Sequence, residues 1–456
     1  MARESDVLTS RAAVGYGVGD FAMNLYWGAL SYFLLYWYTD VVGLPPAVAG
    51  FVFFAGTFWD AITDPTVGYL VGRNRSRWGR YRPFLLFGAV PLAASFALLF
   101  WVPPLREAAL TAALLAAHLV FRTAYTIVGI PYSALSARIS RRSYDRTTLA
   151  SARMIAATAG TLLISSAGFP LVKYFGQGDE QRGFFFLAIV AGAVAILFHF
   201  ICFAATAEPP ESEFDRQGSG RPYRLGDILT ILRTNTAFLY LLGITPLIAG
   251  AAALLQKCLV YYVKYGLQTH GSQHVVLFVH GLTVMLATPL WAYVAHRWHR
   301  RSAWLWATGV MLVSASLMFI ATPDSFAAFL IMLFPISASF AALGILFWSM
   351  LPDTIEYGQW RSGFRAESVF FGVATFTQKM AIGIAGWMLG GLLSVVGFVP
   401  AAEQPPVAVT AMKAGMTLAP AALMFLALLI VLRYPLDAKL HQRIRQELGG
   451  EDETGR

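Results

Sequence analysis

Charge is what this chain has least of. Only 13% of its 456 residues are Asp, Glu, Lys or Arg, against about 25% in an ordinary soluble protein. So few ions cannot cover the surface of a water-soluble protein of this length, and that class is excluded. Cysteine is nearly absent. Cys202 and Cys258 stand far apart in apolar surroundings, which leaves no disulfide framework and no thiolate metal site, only small core residues. There is no Walker A sequence, so ATP hydrolysis is not expected to supply energy, and no His-Glu-x-x-His or Gly-x-Ser-x-Gly appears. Those gaps remove the commonest enzyme readings. The polar start, Met1 to Ser10, lacks a cleavable signal pattern, so the first span is expected to direct its own insertion.

Apolar residues fill the space that charge leaves. They make up 57% of the chain, and 14% of it is aromatic. Runs of about 20 apolar residues, the length that crosses a bilayer as helix, recur from end to end. Short alternating segments, the mark of a membrane β-barrel, do not. The pattern predicts an all-α membrane protein with twelve transmembrane helices, near 12–38, 47–71, 83–103, 108–135, 149–172, 183–205, 236–263, 274–295, 303–321, 326–351, 368–398 and 411–433. The net charge of +9 does not point to nucleic acid, because most of it lies in short loops. Arginine concentrates in alternate loops, at 73–82, 138–146, 216–233, 297–301 and 361–365. By the positive-inside rule those loops and both termini face the cytoplasm of a cell (inner) membrane.

The longest polar interval, 207–235, is rich in Pro, Gly and charge, as a linker is. It divides the chain into a six-helix half at 1–206 and another at 236–456 with a short tail. Two such halves are the layout of major facilitator transporters. A faint repeat agrees: the basic, Trp-containing loop at 72–80 has a weaker counterpart at 296–301.

Certain residues do not belong in hydrocarbon. Asp60 and Asp64 share a helix face one turn apart. Acids in a membrane interior cost at least ~2.5–3.5 kcal/mol each on insertion scales. Two on one face repel unless a proton, a metal cation or a basic group lies between them. The pair outlines a coupling-ion site; the bland alternative is a surface pair cradling a loop arginine. Asp20 follows Gly15, Gly17 and Gly19, small residues that let a helix or ligand approach. His118, Arg122, Tyr125, Thr126, Gly129 and Ser133 form one stripe at spacings of three and four. Arg122 would pair with a carboxylate, meet an anionic substrate or snorkel, and His118 reads as an interfacial histidine. Arg153 opens the fifth span and can snorkel too, while Lys257 sits mid-span in the seventh. Lys379, in the eleventh, is a candidate partner for Asp60 or Asp64 across the halves. Asp353 and Glu356, followed by Arg361 and Arg365, read as a cytoplasmic charge network that gates by breaking on opening.

With these residues in view, the chain resembles the glycoside–pentoside–hexuronide:cation symporters, the melibiose-permease-like family of the major facilitator superfamily. The likeness lies in Gly15-Tyr16-Gly17-Val18-Gly19-Asp20, Tyr38-Thr39-Asp40-Val41-Val42-Gly43-Leu44, Trp59-Asp60-Ala61-Ile62-Thr63-Asp64-Pro65 and Arg75-Ser76-Arg77-Trp78-Gly79-Arg80. It continues in Tyr125-Thr126-Ile127-Val128-Gly129-Ile130-Pro131, Glu356-Tyr357-Gly358 and Tyr434-Pro435-Leu436-Asp437, and so spans nearly the whole chain. It implies that Asp60 and Asp64, with Thr63 and Thr126, bind the coupling cation. It also implies that Asp20, Arg153, Trp348, Thr375 and Lys379 meet the sugar; Tyr125 and Arg122 join them from the stripe. A carboxylate accepts bonds from sugar hydroxyls and a Trp face stacks on the ring.

The departures carry information. Melibiose permease has an aspartate where this chain has Gly129, a tryptophan at the place of Ser133 and a glutamine at that of Ala374. Arg122 has no counterpart cation there. Loss of a third acid favours H+ over Na+ as the coupling ion, and Arg122 makes an acidic sugar such as a hexuronide plausible. The expected function is a cation-coupled symporter of a sugar, glycoside or hexuronide, working by alternating access as a monomer in the lipid bilayer, with no cofactor. The alternatives are a lipid or lysolipid carrier of the same fold, and a non-transporting membrane sensor.

Overall fold

The computed structural model describes residues 9–72, 74, 76–139, 143–208, 234–267, 272–298, 300–321, 325–362, 367–436, 440–444 and 446–447. Residues 209–233 of the expected linker, and Arg365, lie outside the described residues. Among those described, every regular element is a helix. That follows from the solvent, because a span in hydrocarbon must satisfy its own amides and carbonyls.

The elements are α1 (Ser10–Tyr32), α2 (Pro46–Gly72), α3 (Arg82–Leu99), α4 (Glu107–Ile139), α5 (Ser143–Gly176), α6 (Glu180–Ala205), α7 (Thr236–Tyr265), α8 (Gln273–Trp298), α9 (Arg300–Ile320), α10 (Phe326–Ser362), α11 (Glu367–Val395), α12 (Pro406–Met416) and α13 (Leu418–Leu432). Past α1 the chain continues through Leu34–Tyr36 and a π-helical turn, Trp37–Val41. Among the described residues ten stretches are long and apolar enough to cross a membrane, α12 and α13 together counting as one, Pro406–Leu432. The other two expected spans are α1 and α11, the helices that carry Asp20 and Lys379 among small and polar residues. Side chains close several helix starts. Thr9 accepts the amide of Ala12, and Asp179 that of Arg182, each satisfying a donor the first turn leaves open.

The contacts divide into two compact units. The first comprises Met1–Glu213, Leu259–Gly281 and Gly386–Ala411. Within it α1 packs on α5 and α6, α2 on α4, and α3 on α4 and α6. A methyl group at Gly17 would stand 2.8 Å from the carbonyl oxygen of Ala152, and one at Gly160 2.5 Å from that of Phe21. Backbone therefore lies on backbone along α1 and α5, as small residues permit between membrane helices. Tyr16 of α1 and Tyr132 of α4 fix the other side. Each hydroxyl donates to the other's backbone carbonyl, at 3.1 and 2.8 Å, and the rings stack at 4.9 Å. The loop before α3 is tied down by Glu208, whose carboxylate accepts the amides of Arg80, Tyr81 and Arg82, each at 2.8 Å.

The second unit comprises Phe214–Cys258, Leu282–Ala385 and Met412–Arg456. Here α9 packs on α10 and α13. Asn235 accepts the amide of Phe238 and donates to the carbonyl of Thr354 on α10, at 2.9 and 2.6 Å. The Trp291 indole of α8 donates to Ala338 of α10 at 2.8 Å.

Candidate functional site

Two helices of the first unit meet at the paired acids. Asp60 of α2 is fully buried. Thr126, from α4, has its hydroxyl oxygen 2.8 Å from Asp60 Oδ1 and 2.9 Å from Asp64 Oδ1, so one side chain joins both carboxyls. Thr63, grouped with them by the family likeness, donates its hydroxyl proton to the backbone carbonyl of Asp60 at 3.2 Å. Pro65 follows at once, and its missing N–H leaves the carbonyl of Ala61 without the usual helical donor.

Arg122 lies one turn before Thr126 on α4 and is 2% exposed. Of the fates the sequence leaves open to it, the structure displays carboxylate pairing. Nη1 donates to Asp60 Oδ2 at 3.3 Å, Nη2 to Thr57 Oγ1 at 3.3 Å, and Nε to His118 Nε2 at 3.2 Å. Arg122 thereby supplies Asp60 with a cation from its own unit, a role the sequence offers equally to Lys379 of the second unit. His118, which sequence reads as an interfacial histidine, is fully buried within the protein. Its ring lies over Gly56 of α2, where any side-chain carbon would collide with it. The end-of-span position of His118 does not announce this burial, because the hole that takes its ring belongs to another helix.

A second cluster centres on Asp20. Arg153 Nε donates to Asp20 Oδ2 at 2.8 Å, with side-chain exposures of 30% and 14%, so the pair is part-buried and reachable. The guanidinium lies 5.2 Å from the Tyr132 ring centroid and 5.9 Å from that of Tyr16. Asn24, one turn on, donates to the backbone carbonyl of Asp20 at 2.9 Å and accepts from Thr161 of α5 at 3.3 Å. Trp27 continues the same face. Its ring stands 6.5 Å from that of Tyr125, and the Arg122 guanidinium lies 5.9 Å from it, so aromatic groups connect the Asp20 cluster to the paired acids. Asn24 and Trp27 are absent from the sequence-derived set, although Asp20, Asn24 and Trp27 follow the four-and-three spacing of one helix face.

The remaining expected substrate residues belong to the second unit. Trp348 of α10 is 42% exposed and stacks on Phe371 at 6.4 Å. Thr375 and Lys379, four apart on α11, are half-buried.

Two charge networks close helix ends. In the first unit the π-helical turn carries Asp40, which accepts from Lys264 Nζ at 3.0 Å and from the Tyr265 hydroxyl. Lys264 also donates to the Tyr36 hydroxyl at 2.7 Å, Tyr36 donates to Glu180 at 3.1 Å, and Thr39 and Tyr261 share a hydroxyl bond of 2.7 Å. Sequence gave no warning of this cluster. In the second unit Asp353 pairs with Arg300, and His441 of the tail lies 2.8 Å from Glu356 Oε2. The expected Asp353–Glu356 network thus draws on Arg300 and His441, while Arg361 donates to the Tyr357 hydroxyl at 3.3 Å.

Residues 15–438 match the family of MFS/sugar transport proteins. The putative glycoside/cation symporter YagG of Escherichia coli (strain K12) is 30% identical over 88% of this chain and 86% of its own length. The glucuronide carrier protein homolog of the same strain is 28% identical over 97% and 96%. In fold, the chain is similar to the xylose transporter XylE from E. coli, with a TM-score of 0.62 over 94% of this chain and 98% of the other, at 14% identity. The chain therefore belongs to the MFS/sugar transport protein family, as a multi-pass membrane transporter of the glycoside–pentoside–hexuronide:cation symporter type and not an enzyme.

Proposed function

We propose that the protein is a proton-coupled symporter of a sugar, glycoside or hexuronide, with both termini cytoplasmic, working by alternating access. The observation that carries the coupling is the Thr126 hydroxyl between two carboxyls. A hydroxyl has one proton to give. Donation to one carboxylate turns its lone pair toward the other, which suits a proton on that second carboxyl. The names of the relatives, a glycoside/cation symporter and a glucuronide carrier homolog, support the substrate class.

Asp20 and Arg153 are the proposed sugar-binding pair. They offer acceptors and donors side by side, as sugar hydroxyls require, and Trp27 and Tyr125 offer aromatic faces for the ring. The family likeness adds Trp348, Thr375 and Lys379 as proposed sugar contacts. By the positive-inside orientation the Asp40–Lys264 cluster closes the outer side, and the Asp353–Arg300 and Glu356–His441 pairs lie on the cytoplasmic side. Alternating access would make and break the Asp40–Lys264 pair, whose members come from the two halves of the sequence; the Asp353–Arg300 and Glu356–His441 pairs join residues of one half and brace its helix ends.

The test is uptake of labelled monosaccharides, glycosides and hexuronides into cells expressing the protein, each with and without sodium. Addition of the right substrate to a weakly buffered, sodium-free suspension should make the medium more alkaline. Asp60→Asn should abolish accumulation while the protein remains in the membrane. Wild-type accumulation by that variant would sink the assignment of the acids, and a strict sodium requirement would overturn proton coupling.

A further inference from the structure

We infer that Arg122 is a built-in cation that takes the place of sodium beside Asp60 and so fixes the ion specificity of the transporter. This rests on the proposed coupling role of Asp60 and Asp64. The first support is geometric: the guanidinium bonds Asp60 at 3.3 Å where both side chains are shut from solvent. It is also held on every side. Thr57 accepts from Nη2 and His118 from Nε. For His118 Nε2 to accept, that nitrogen must carry a lone pair, so the ring is neutral with its proton on Nδ1. Gly56 leaves the space that lets the ring reach this position. Residues from two helices thus converge to seat one guanidinium against one carboxylate.

The second support is what surrounds the acids. A hard cation is held by several oxygens at once. One turn beyond Thr126, at Gly129, a methyl group would stand 2.9 Å from the terminal carbon of Met23. Position 129 therefore supplies no oxygen to the pair and is faced by the end of the Met23 side chain. A sodium ion at Asp60 would meet a guanidinium already on that carboxylate, and like charges at such range repel strongly in a low-dielectric interior. The residues do not fit the sodium seat that the family likeness implies. The guanidinium opposes a proton on Asp60 as well, but a proton needs no such shell and can be carried by Asp64, on the other side of the Thr126 hydroxyl.

The test reads sodium binding directly, apart from transport. The full chain is purified in detergent as wild type, Arg122→Gln and Arg122→Lys, and its unfolding midpoint and radioactive sodium binding are measured in sodium chloride against choline chloride. Wild type and Arg122→Lys should show no sodium-dependent shift and no saturable binding. Arg122→Gln should gain both, with an upward shift of a few degrees as a ligand of the folded state produces, and Asp60→Asn added to it should remove them. Saturable sodium binding by wild type that Asp60→Asn abolishes would overturn the inference, as would a folded Arg122→Gln protein blind to sodium. Should Arg122→Gln fail to purify, the wild-type measurement decides alone. Sodium binding gained by Arg122→Gln in a transporter that moves its substrate without any cation would defeat the symport reading and the claim on ion specificity together, and leave standing only that Arg122 occupies a cation seat at Asp60.

Discussion

The Asp60–Arg122 pair makes a prediction whose size follows from its burial. Asp60→Asn removes the negative partner and strands a guanidinium in a place with no access to water. At 3.3 Å and an effective dielectric constant of about 20, the pair attraction is about 5 kcal/mol. Breaking one side of a buried pair costs roughly 3–5 kcal/mol, because the survivor keeps its desolvation penalty without compensation. Replacing both partners by neutral groups of similar shape costs far less. Asp60→Asn should therefore destabilise severely, and Asp60→Asn/Arg122→Gln should recover about 2 kcal/mol or more of the loss. Membrane proteins unfold irreversibly, so the assay is thermal inactivation of purified protein followed by light scattering or size-exclusion chromatography. If about half of 4 kcal/mol acts on the unfolding barrier, Asp60→Asn should inactivate roughly 30-fold faster than wild type. The double variant should return most of the way. Its uphill uptake should remain absent, since the carboxyl is still missing, and stability is thereby separated from coupling. A double variant no more durable than Asp60→Asn, or a pair coupling below about 1 kcal/mol in the full cycle, would refute the pairing and its magnitude together.

Three further outcomes are expected. Gly56→Ala should cost about 1–3 kcal/mol by driving a methyl into the His118 ring, and adding His118→Ala should restore most of the thermal half-life; no rescue would place the strain elsewhere. Lys264→Ala should loosen the Asp40 cluster and raise labelling of a cysteine introduced by Thr39→Cys, buried at present, with a membrane-impermeant maleimide from the outer face; unchanged labelling counts against a gating role. Glu208→Gln should lose part of a charged hydrogen-bond set worth ~1.5–3 kcal/mol per bond and quicken proteolysis of the loop at 73–82, while equal cleavage rates would mean that the Glu208 contacts do not hold the loop.

Which parts were legible in the sequence depends on how far apart the cooperating residues lie. The spans were legible because apolar length is a local property, and Asp60 and Asp64 because one turn of one helix holds both. Thr126 came into view by helical spacing and was tied to the acids by family likeness, and in the structure its hydroxyl reaches both carboxyls. Asn24 and Trp27 were within reach of periodicity from Asp20 but are neither charged nor costly enough to draw notice in a span. The partners were harder. Nothing local to His118 foretells a buried ring, since burial depends on the missing side chain of Gly56. Nothing near Asp40 names Lys264, 224 positions away. In the structure Lys264 ties the end of α7 to the turn after α1. Arg122 sharpens the same point. Its charge was plain and its helix face was plain, yet whether it meets a sugar acid or Asp60 turns on the relation between α2 and α4. A residue that sequence offers both to the substrate and to a carboxylate bonds Asp60 in the structure, and if Asp60 carries the proposed coupling role, that moves the question of specificity from the sugar to the ion.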